Sequence, residues 1–154
     1  MKLTYHTITD DEGREVCGWK YDGEYACYNQ PPYEMLKKNG DMFCNPLRRS
    51  NYRAHYDGDV FLGFTNLQEN ENDVFLGIGL RPDLCGKGYG STVIEDCCRI
   101  SAELYPEKPI SLVVRTWNKR AIRCYEKAGF VIVGEPFEIN TYSGIGVFYR
   151  MVKK

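Results

Sequence analysis

The chain has 154 residues and a nearly balanced charge, with 20 Lys and Arg against 21 Asp and Glu, which leaves a net charge of −1. This length suffices for one domain with its own core, residues 1–154, and the absence of a basic run argues against nucleic acid as the main partner. No apolar stretch approaches the length that spans a membrane, and residues 1–5 lack a signal-peptide pattern, so we expect no membrane partner and a cytoplasmic protein.

Seven cysteines raise the question of disulfides or a metal site. Their number is odd, Cys97 and Cys98 are adjacent in a predicted helix, and no C-x-x-C spacing occurs. The only histidines are His6 and His55, far apart in sequence. We therefore expect the cysteines to act as small apolar residues in a reducing compartment, and we expect no metal.

The chain begins with a predicted strand, residues 2–8, and a first helix. Thr9-x-x-Glu12 forms a capping box, which begins a helix because each side chain bonds the backbone N–H of the other residue. A proline at position 31 or 32 then begins a second short helix, and Asn39-Gly40 ends it. An aromatic-rich stretch, residues 19–28, lies between the two helices.

The remaining elements alternate strands with helices. Strands over 51–56 and 60–67 flank the turn Asp57-Gly58-Asp59 and predict an antiparallel hairpin. This order predicts an α+β fold in which helices flank a twisted, mostly antiparallel mixed sheet. The later predicted elements are a turn at 69–73, strands over 74–80 and 110–115, helices over 88–105 and from 118, and strands over 130–138 and 145–152.

A glycine-rich loop follows the strand over 74–80. Gly86, Gly88 and Gly90 alternate there, and glycine lets a backbone turn tightly and present its N–H groups to an anion. The helix that follows presents unpaired N–H groups and its positive dipole end to the same place, while Lys87 adds a cation and Ser91 a hydroxyl. A plain connecting loop is the alternative interpretation.

The spacing of this loop excludes two other phosphate-binding motifs. A Walker loop needs a Ser or Thr directly after its lysine, but Gly88 follows Lys87. The dinucleotide fingerprint needs G-x-G-x-x-G, whereas this loop reads G-x-G-x-G.

A second informative segment is the helix that begins at Asn118. Asn118, Ile122 and Tyr125 fall at i, i+4 and i+7 on one helical face, and Asn118 lies about 10 Å from Tyr125 along the axis. Asn118 is also a favourable N-cap, and Gly129 lies where a left-handed residue ends a helix. A purely structural role for Asn118 and Tyr125 is the alternative.

Two segments together resemble a known family. Residues 81–91, Arg-Pro-Asp-Leu-Cys-Gly-Lys-Gly-Tyr-Gly-Ser, resemble the acetyl-CoA loop of the GNAT superfamily of N-acetyltransferases. Residues 114–130 resemble its second motif, V-x-x-x-N-x-x-A-x-x-x-Y-x-x-x-G-F. The two motifs occur in the family's order with one strand between them, and acetyl-CoA is the co-substrate that the resemblance implies.

The resemblance implies a role for each matching position. Tyr125 would be the general acid that protonates the departing CoA thiolate, since a phenol of pKa about 10 can donate to a thiolate whose acid is near 8.5. Asn118 would bind the cofactor arm. The backbone of Ile78, Gly79 and Leu80 would pair with pantetheine, and the pyrophosphate would be held by Cys85, Gly86, Lys87, Gly88, Tyr89, Gly90 and Ser91.

Two positions depart from the family's pattern. Cys85 stands where the loop motif usually has Gln or Arg. Val113 stands where several relatives place a Glu base, and a valine cannot accept the proton of the acceptor amine. The remaining candidates for a base are Asp22, Glu24, Glu34, His55 and Asp73, and we leave the base unassigned with a water-relayed deprotonation as the hypothesis.

The resemblance also implies that the first two helices build a wall of the acceptor site. Aromatic rings interleaved with Asp22 and Glu24 suit a cationic amine, although each ring alone could be core packing. We predict an N-acetyltransferase that moves the acetyl group to a primary amine of a small molecule or peptide by direct attack; the alternative is a silent acyl-CoA-binding sensor or scaffold. A homodimer is left open. The rings expected to contact the acceptor are Trp19, Tyr21, Tyr25 and Tyr28.

Overall fold

The computed structural model describes residues 1–154 and contains seven strands and four α-helices. The strands form one mixed sheet in the order β1-β2-β3-β4-β5-β7-β6, and helices flank it as the sequence predicts. The strands are β1 Leu3–Thr7, β2 Tyr52–Asp57, β3 Val60–Glu69, β4 Val74–Leu80, β5 Ile110–Arg115, β6 Val131–Thr141 and β7 Gly144–Lys153. The helices are α1 Asp10–Gly18, α2 Tyr33–Asn39, α3 Tyr89–Leu104 and α4 Lys119–Lys127.

The signals at the helix ends are confirmed. The Thr9 side chain accepts from the Glu12 N–H, and the Glu12 side chain accepts from the Thr9 N–H, which completes the capping box of α1. Gly40 ends α2 with a left-handed φ of 65°. Gly129 follows α4 with a φ of 100°. The sequence analysis does not predict four short 3-10 segments, Gly23–Tyr28, Met42–Cys44, Arg49–Asn51 and Pro82–Leu84.

The first of two compact units comprises residues 1–66 and 78–85. Strand β1 pairs antiparallel with β2, and β2 pairs antiparallel with β3 across a register shift at His55/Tyr56. The core of this unit mixes aliphatic and aromatic side chains from the helices and strands. Its buried members are Ile8, Val16, Cys17, Trp19, Tyr33, Leu36, Phe43, Tyr52, Ala54, Phe61 and Phe64.

Two glycines let β3 and β4 approach closely within this unit. A Cβ at Gly63 would fall inside van der Waals contact with the carbonyl oxygen of Gly79, and a Cβ at Gly79 would overlap the ring of Phe64. The next residues continue the contact, because the Arg81 N–H donates to the Leu62 carbonyl at 2.9 Å. The end of β4 therefore lies close against β3, because the two glycines leave room for the approach and a backbone hydrogen bond joins the strands.

The second unit comprises residues 67–77 and 86–154. Strand β4 begins a parallel pairing with β5 at Val74↔Ile110, while β5 and β6 each pair antiparallel with β7. Helices α3 and α4 pack together. Buried apolar residues recur at helical spacing along α3, at Val93, Cys97 and Ile100, so this face of α3 is buried. No helix in the chain is long and apolar enough to cross a membrane.

Candidate active site

The glycine-rich loop forms a backbone turn in front of α3. Gly86 has a φ of 77°, and Gly88, the N-cap of α3, has a φ of 88°. Both values lie in the left-handed region, which side chains with a Cβ rarely adopt. No side chain caps α3 at Gly88. The first N–H groups of a 16-residue helix therefore face an exposed loop that carries Lys87, and this arrangement suits an anion.

The start of α3 lies directly beside α4. The Ser91 hydroxyl and the Cys124 thiol are 3.4 Å apart. A Cβ at Gly90 would meet the Cys124 sulfur at 3.6 Å, an ordinary contact. The structure thus brings the loop predicted to bind pyrophosphate next to the helix that carries Asn118 and Tyr125.

Asn118 performs the capping role that its residue type predicts. Its side-chain oxygen accepts from the Ala121 N–H at 3.2 Å, and its own side chain is buried. An amide oxygen can accept two hydrogen bonds, so a contact with the cofactor arm would come from this oxygen or from the side-chain NH₂ group. Tyr125 is buried on the same helix, with its ring edge-on to Phe130 at 6.0 Å between centroids.

The sequence analysis missed a basic surface on α4. Lys119, Arg123 and Lys127 follow each other at i, i+4 and i+8, with Arg120 beside them, and all four are exposed. We refer to these four residues as the basic face of α4. Its spacing is visible in the sequence and could have indicated a second source of positive charge for the phosphates of a cofactor.

The end of β4 carries the residues predicted to pair with pantetheine. Ile78, Gly79 and Leu80 are half-buried. The Leu80 carbonyl accepts a hydrogen bond from the Tyr21 hydroxyl at 2.6 Å. Tyr21 is thus attached to the end of β4, the strand predicted to pair with pantetheine, and nothing in the sequence indicated this contact. Cys85 follows as the cap of the 3-10 turn Pro82–Leu84, and its thiol donates to the Arg81 carbonyl at 3.7 Å.

The four rings predicted to contact the acceptor have two different environments. Trp19 is buried in the core and tilted against Phe61, with 5.2 Å between ring centroids. Tyr21, Tyr25 and Tyr28 are half-buried and form a cluster, with centroids 6.5 Å apart for Tyr21–Tyr28 and 6.4 Å apart for Tyr25–Tyr28. The core position of Trp19 fits its packing interpretation, while the three tyrosines form a partly accessible cluster.

Two of the candidate bases are held by other groups. His55 is buried, and its Nε2 lies 2.7 Å from the Thr65 hydroxyl. Asp73 accepts from the Ser111 hydroxyl at 2.7 Å and from Arg150 at 3.3 Å, and the hydrogen bond from Ser111 is the largest cause of its lowered pKa. A carboxylate stabilised in this way is a weak base.

The other candidate bases are exposed. Asp22 and Glu24 flank Tyr21 and Tyr25 in sequence, and Glu34 lies on α2. Val113 is half-buried in β5. No group of three or more His, Cys, Asp or Glu side chains is arranged to hold a metal ion.

A buried carboxylate outside the predicted site stands out in the first unit. Glu12 accepts from the Thr9 N–H at 2.9 Å, from the Tyr56 hydroxyl, and from His6 at 2.8 Å. Burial acts to raise its pKa, but the hydrogen bonds from Tyr56, Thr9 and His6 outweigh burial and lower it. The capping box predicted only one of these three partners.

Comparison with family models decides the class of the protein. The model of the acetyltransferase (GNAT) family matches residues 13–130, which include the glycine loop and the Asn118 helix. The chain belongs to the GNAT family of acetyltransferases. The predicted enzyme class, an acetyl-CoA-dependent N-acetyltransferase, is thereby confirmed, and so is acetyl-CoA as its co-substrate.

Solved structures of this family share the fold. The spermidine N-acetyltransferase of Vibrio cholerae, crystallised with CoA and spermine, gives a TM-score of 0.79 at 20% identity and covers 98% of this chain and 94% of its own. A ribosomal-protein-alanine N-acetyltransferase from Escherichia coli gives a TM-score of 0.69 at 16% identity over 98% of this chain and 92% of its own. At these identities the likeness establishes the fold. A sequence comparison with curated proteins gives no match.

Proposed function

We propose that this GNAT enzyme transfers the acetyl group of acetyl-CoA to the primary amine of a small cationic acceptor by direct attack, with Tyr125 as general acid. The observation that carries the proposal is the contact of Ser91 with Cys124 at 3.4 Å. This contact places the glycine-rich loop over residues 85–91, which we call the phosphate loop, beside the helix of Tyr125. We propose that the pantetheine arm runs from that loop along α4, so that the thiol end reaches Tyr125. The loop in turn supplies backbone N–H groups at Gly86, Gly88 and the first turn of α3.

The basic face of α4 supports the same cofactor. CoA carries a pyrophosphate and a further phosphate on its ribose, and Lys or Arg side chains stabilise phosphates by charge-assisted hydrogen bonds. Together with Lys87, the basic face gives the second unit five exposed cations around the start of α3 and along α4. In this proposal the loop binds the pyrophosphate of CoA, and the basic face of α4 binds the phosphate on its ribose.

The chemistry of the segment over residues 19–29 favours a cationic acceptor. The three tyrosines are half-buried, and the faces of aromatic rings attract ammonium groups. The exposed Asp22 and Glu24 add negative charge beside them in sequence. The structural relative from Vibrio cholerae is titled a spermidine N-acetyltransferase and was crystallised with spermine. We propose an aliphatic polyamine, with spermidine as the first acceptor to test.

Proton removal is proposed to run through water. Lysine-type amines have an ordinary pKa near 10.4, so the attacking amine must lose a proton before it reaches the thioester. Val113 cannot accept it, Asp73 is held by Ser111 and Arg150, and His55 is buried against Thr65. A relay of water that ends on none of the candidate side chains is consistent with these contacts. A single substitution among the candidate bases that abolishes turnover, yet spares acetyl-CoA binding, would contradict the relay.

Mass spectrometry of acetylated products tests the proposed function. The protein is incubated with acetyl-CoA and a panel of amines that contains spermidine, monoamines, amino acids and a peptide with a free N-terminus. Acetylated spermidine is the expected main product. Binding of acetyl-CoA without any product would instead favour the silent binding module. An acetylated peptide as the main product would show that the acceptor is a peptide and not a polyamine.

The sequence leaves a homodimer open. Several large apolar side chains are exposed on the hairpin of β6 and β7, including Val131, Phe137, Tyr142 and Ile145. Light scattering after size exclusion, measured over a tenfold range of protein concentration, determines whether two copies associate.

A further inference from the structure

One hydrogen bond within the first unit attaches residues 21–29, which are proposed to contact the acceptor, to the end of β4, which is proposed to pair with pantetheine. The Tyr21 hydroxyl donates to the Leu80 carbonyl at 2.6 Å. Tyr21 lies 59 positions before Leu80, just after α1, and Leu80 is the last residue of β4. The bond therefore joins the tyrosine cluster to the strand whose backbone is proposed to pair with pantetheine.

Tyr21 also closes the segment on which the other two tyrosines lie. Its backbone N–H donates to the side-chain oxygen of Asn29 at 2.7 Å. The Tyr25 N–H donates to the Asp22 carbonyl at 3.1 Å, and the Asn29 N–H donates to the Ala26 carbonyl at 3.0 Å. Residues 21–29 thus form a small hydrogen-bonded loop, and Tyr21 is the point where this loop is attached to β4.

The residues on both sides of Leu80 are held against β3. The Arg81 N–H, directly after Leu80, donates to the Leu62 carbonyl at 2.9 Å, and Gly79 packs against Phe64 without space for a Cβ. The Leu80 carbonyl itself accepts from the Tyr21 hydroxyl, so a change in the orientation of this carbonyl alters that bond. Burial raises the pKa of the Tyr21 phenol well above its ordinary value, so the hydroxyl stays protonated and remains a donor throughout the physiological range.

We propose that Tyr21 is a positioning residue that couples the two substrates. The inference rests on the proposed function: when pantetheine pairs with the end of β4, it fixes the Leu80 carbonyl, the carbonyl fixes the Tyr21 hydroxyl, and Tyr21 orders residues 21–29 for the acceptor. Cofactor binding then tightens acceptor binding, and by linkage the acceptor tightens cofactor binding by the same factor.

The test compares Tyr21→Phe with a matched variant, Tyr25→Phe. The Tyr21 variant keeps the ring against Tyr28 and removes only the hydroxyl that reaches Leu80. Titration calorimetry measures the Kd of spermidine for the free protein and for the protein saturated with CoA, which cannot react. For the unsubstituted protein we expect CoA to tighten spermidine by about five- to tenfold. Tyr21→Phe should reduce this factor to less than about twofold, whereas Tyr25→Phe, which leaves the bond from Tyr21 to Leu80 intact, should keep the factor.

Hydrogen exchange gives a second readout that a merely structural role would not change. CoA alone should slow the exchange of backbone amides in residues 21–29 of the unsubstituted protein and leave them unchanged in Tyr21→Phe. An unaltered coupling factor in Tyr21→Phe overturns the inference, and so does a factor of one in the unsubstituted protein. The proposed function fails separately, if the unsubstituted protein binds CoA but acetylates no amine.

Discussion

At the scale of single residues, the phenol of Tyr125 is the group on which turnover should depend most. Tyr125→Phe removes the proposed donor to the CoA thiolate and keeps the ring against Phe130. General acid catalysis contributes about 10²- to 10⁴-fold, so we expect kcat to fall by about 10²-fold or more while the Kd of acetyl-CoA changes little. Steady-state kinetics with spermidine and calorimetry with CoA measure the two quantities.

The control for Tyr125 is Tyr142→Phe. Tyr142 is exposed in the turn between β6 and β7, so Tyr142→Phe removes a hydroxyl of the same kind from a residue outside the predicted site. Its kcat should stay within about twofold of the unsubstituted value. Full activity of Tyr125→Phe would remove this residue from the mechanism and leave the family assignment untouched.

Glu12 should make stability depend on pH. Its folded-state pKa is lowered from the ordinary value of 4.5, so its contribution is fully present above that value and is lost as pH falls through the lower folded value. Glu12→Gln should therefore cost about 1–3 kcal/mol of unfolding free energy near neutral pH. The difference between the two proteins should shrink below about pH 4.5. Urea unfolding at several pH values measures it, and a difference that does not vary with pH would show that Glu12 acts without its charge.

The contacts of single residues differ in how far the sequence could predict them. The Asn118 cap and the capping partner of Glu12 follow from local sequence, because both bonds lie within one helical turn. The bond from Tyr21 to Leu80 joins residues 59 positions apart, and so does not follow from any local pattern. The core position of Trp19 likewise depends on Phe61 in a strand that is distant in sequence.

At the scale of elements, the phosphate loop should need glycine at position 88 more than at position 90. Gly88→Ala places a Cβ on a residue with a φ of 88°, which costs about 1–2 kcal/mol. We expect the Tm to fall by about 2–8 °C and the Kd of CoA to rise about tenfold. Gly90 has no left-handed φ, and its Cβ would only touch Cys124, so Gly90→Ala should keep or raise the Tm. Equal Tm values for both variants would contradict a strained loop.

Helix α4 allows the two roles of Asn118 to be separated. Asn118→Ser keeps an N-cap oxygen but loses the side-chain NH₂ group, while Asn118→Ala loses both. We expect Asn118→Ser to retain stability within about 0.5 kcal/mol and Asn118→Ala to lose about 1 kcal/mol. If the NH₂ group binds the cofactor arm, the Kd of CoA rises in both variants. If CoA binding follows stability instead, the residue is a cap alone. Thermal unfolding and calorimetry provide the comparison.

Regular elements were predictable where turn and cap residues mark their ends. The bounds of β4 and β5 agree with the sequence, and α3 differs by one residue at each end. The 3-10 segments over 23–28 and 42–44 were not predicted, since no hydrophobic period or cap identifies them. Pairing of β5 with β7 ahead of β6 is also a tertiary outcome that the order of elements does not reveal.

At the scale of the whole molecule, charges of opposite sign should attract the two substrates, negative charge the cationic acceptor and positive charge the anionic cofactor. Residues 10–41 contain eight acidic and four basic residues, a net charge of −4, so the remainder of a chain of net −1 carries +3. We expect the KM of spermidine to rise about three- to tenfold when salt increases from about 20 to 200 mM, because exposed charges become screened. A monoamine acceptor should show a smaller rise. A KM that does not respond to salt would mean that contacts other than charge bind the acceptor.

Whole-molecule properties followed from the sequence to different degrees. The two motifs were sufficient for the family, because their glycines, Asn118 and Tyr125 are local and closely spaced. The proposed acceptor site uses side chains from α1 to residue 29, whose arrangement arises from packing on β3 and β4. Sequence therefore predicted the cofactor in detail and the acceptor only by charge and aromatic content.

The thiol of Cys124 on α4 lies 3.4 Å from the hydroxyl of Ser91, which ends the phosphate loop in the first turn of α3. An alkylating reagent that reaches this sulfur would leave its adduct beside the proposed pyrophosphate site, so cofactor and reagent should compete. The rate of modification at this one cysteine, followed by peptide mapping, then becomes a titration of cofactor occupancy. Ligands could be ranked in that way before any acceptor is known.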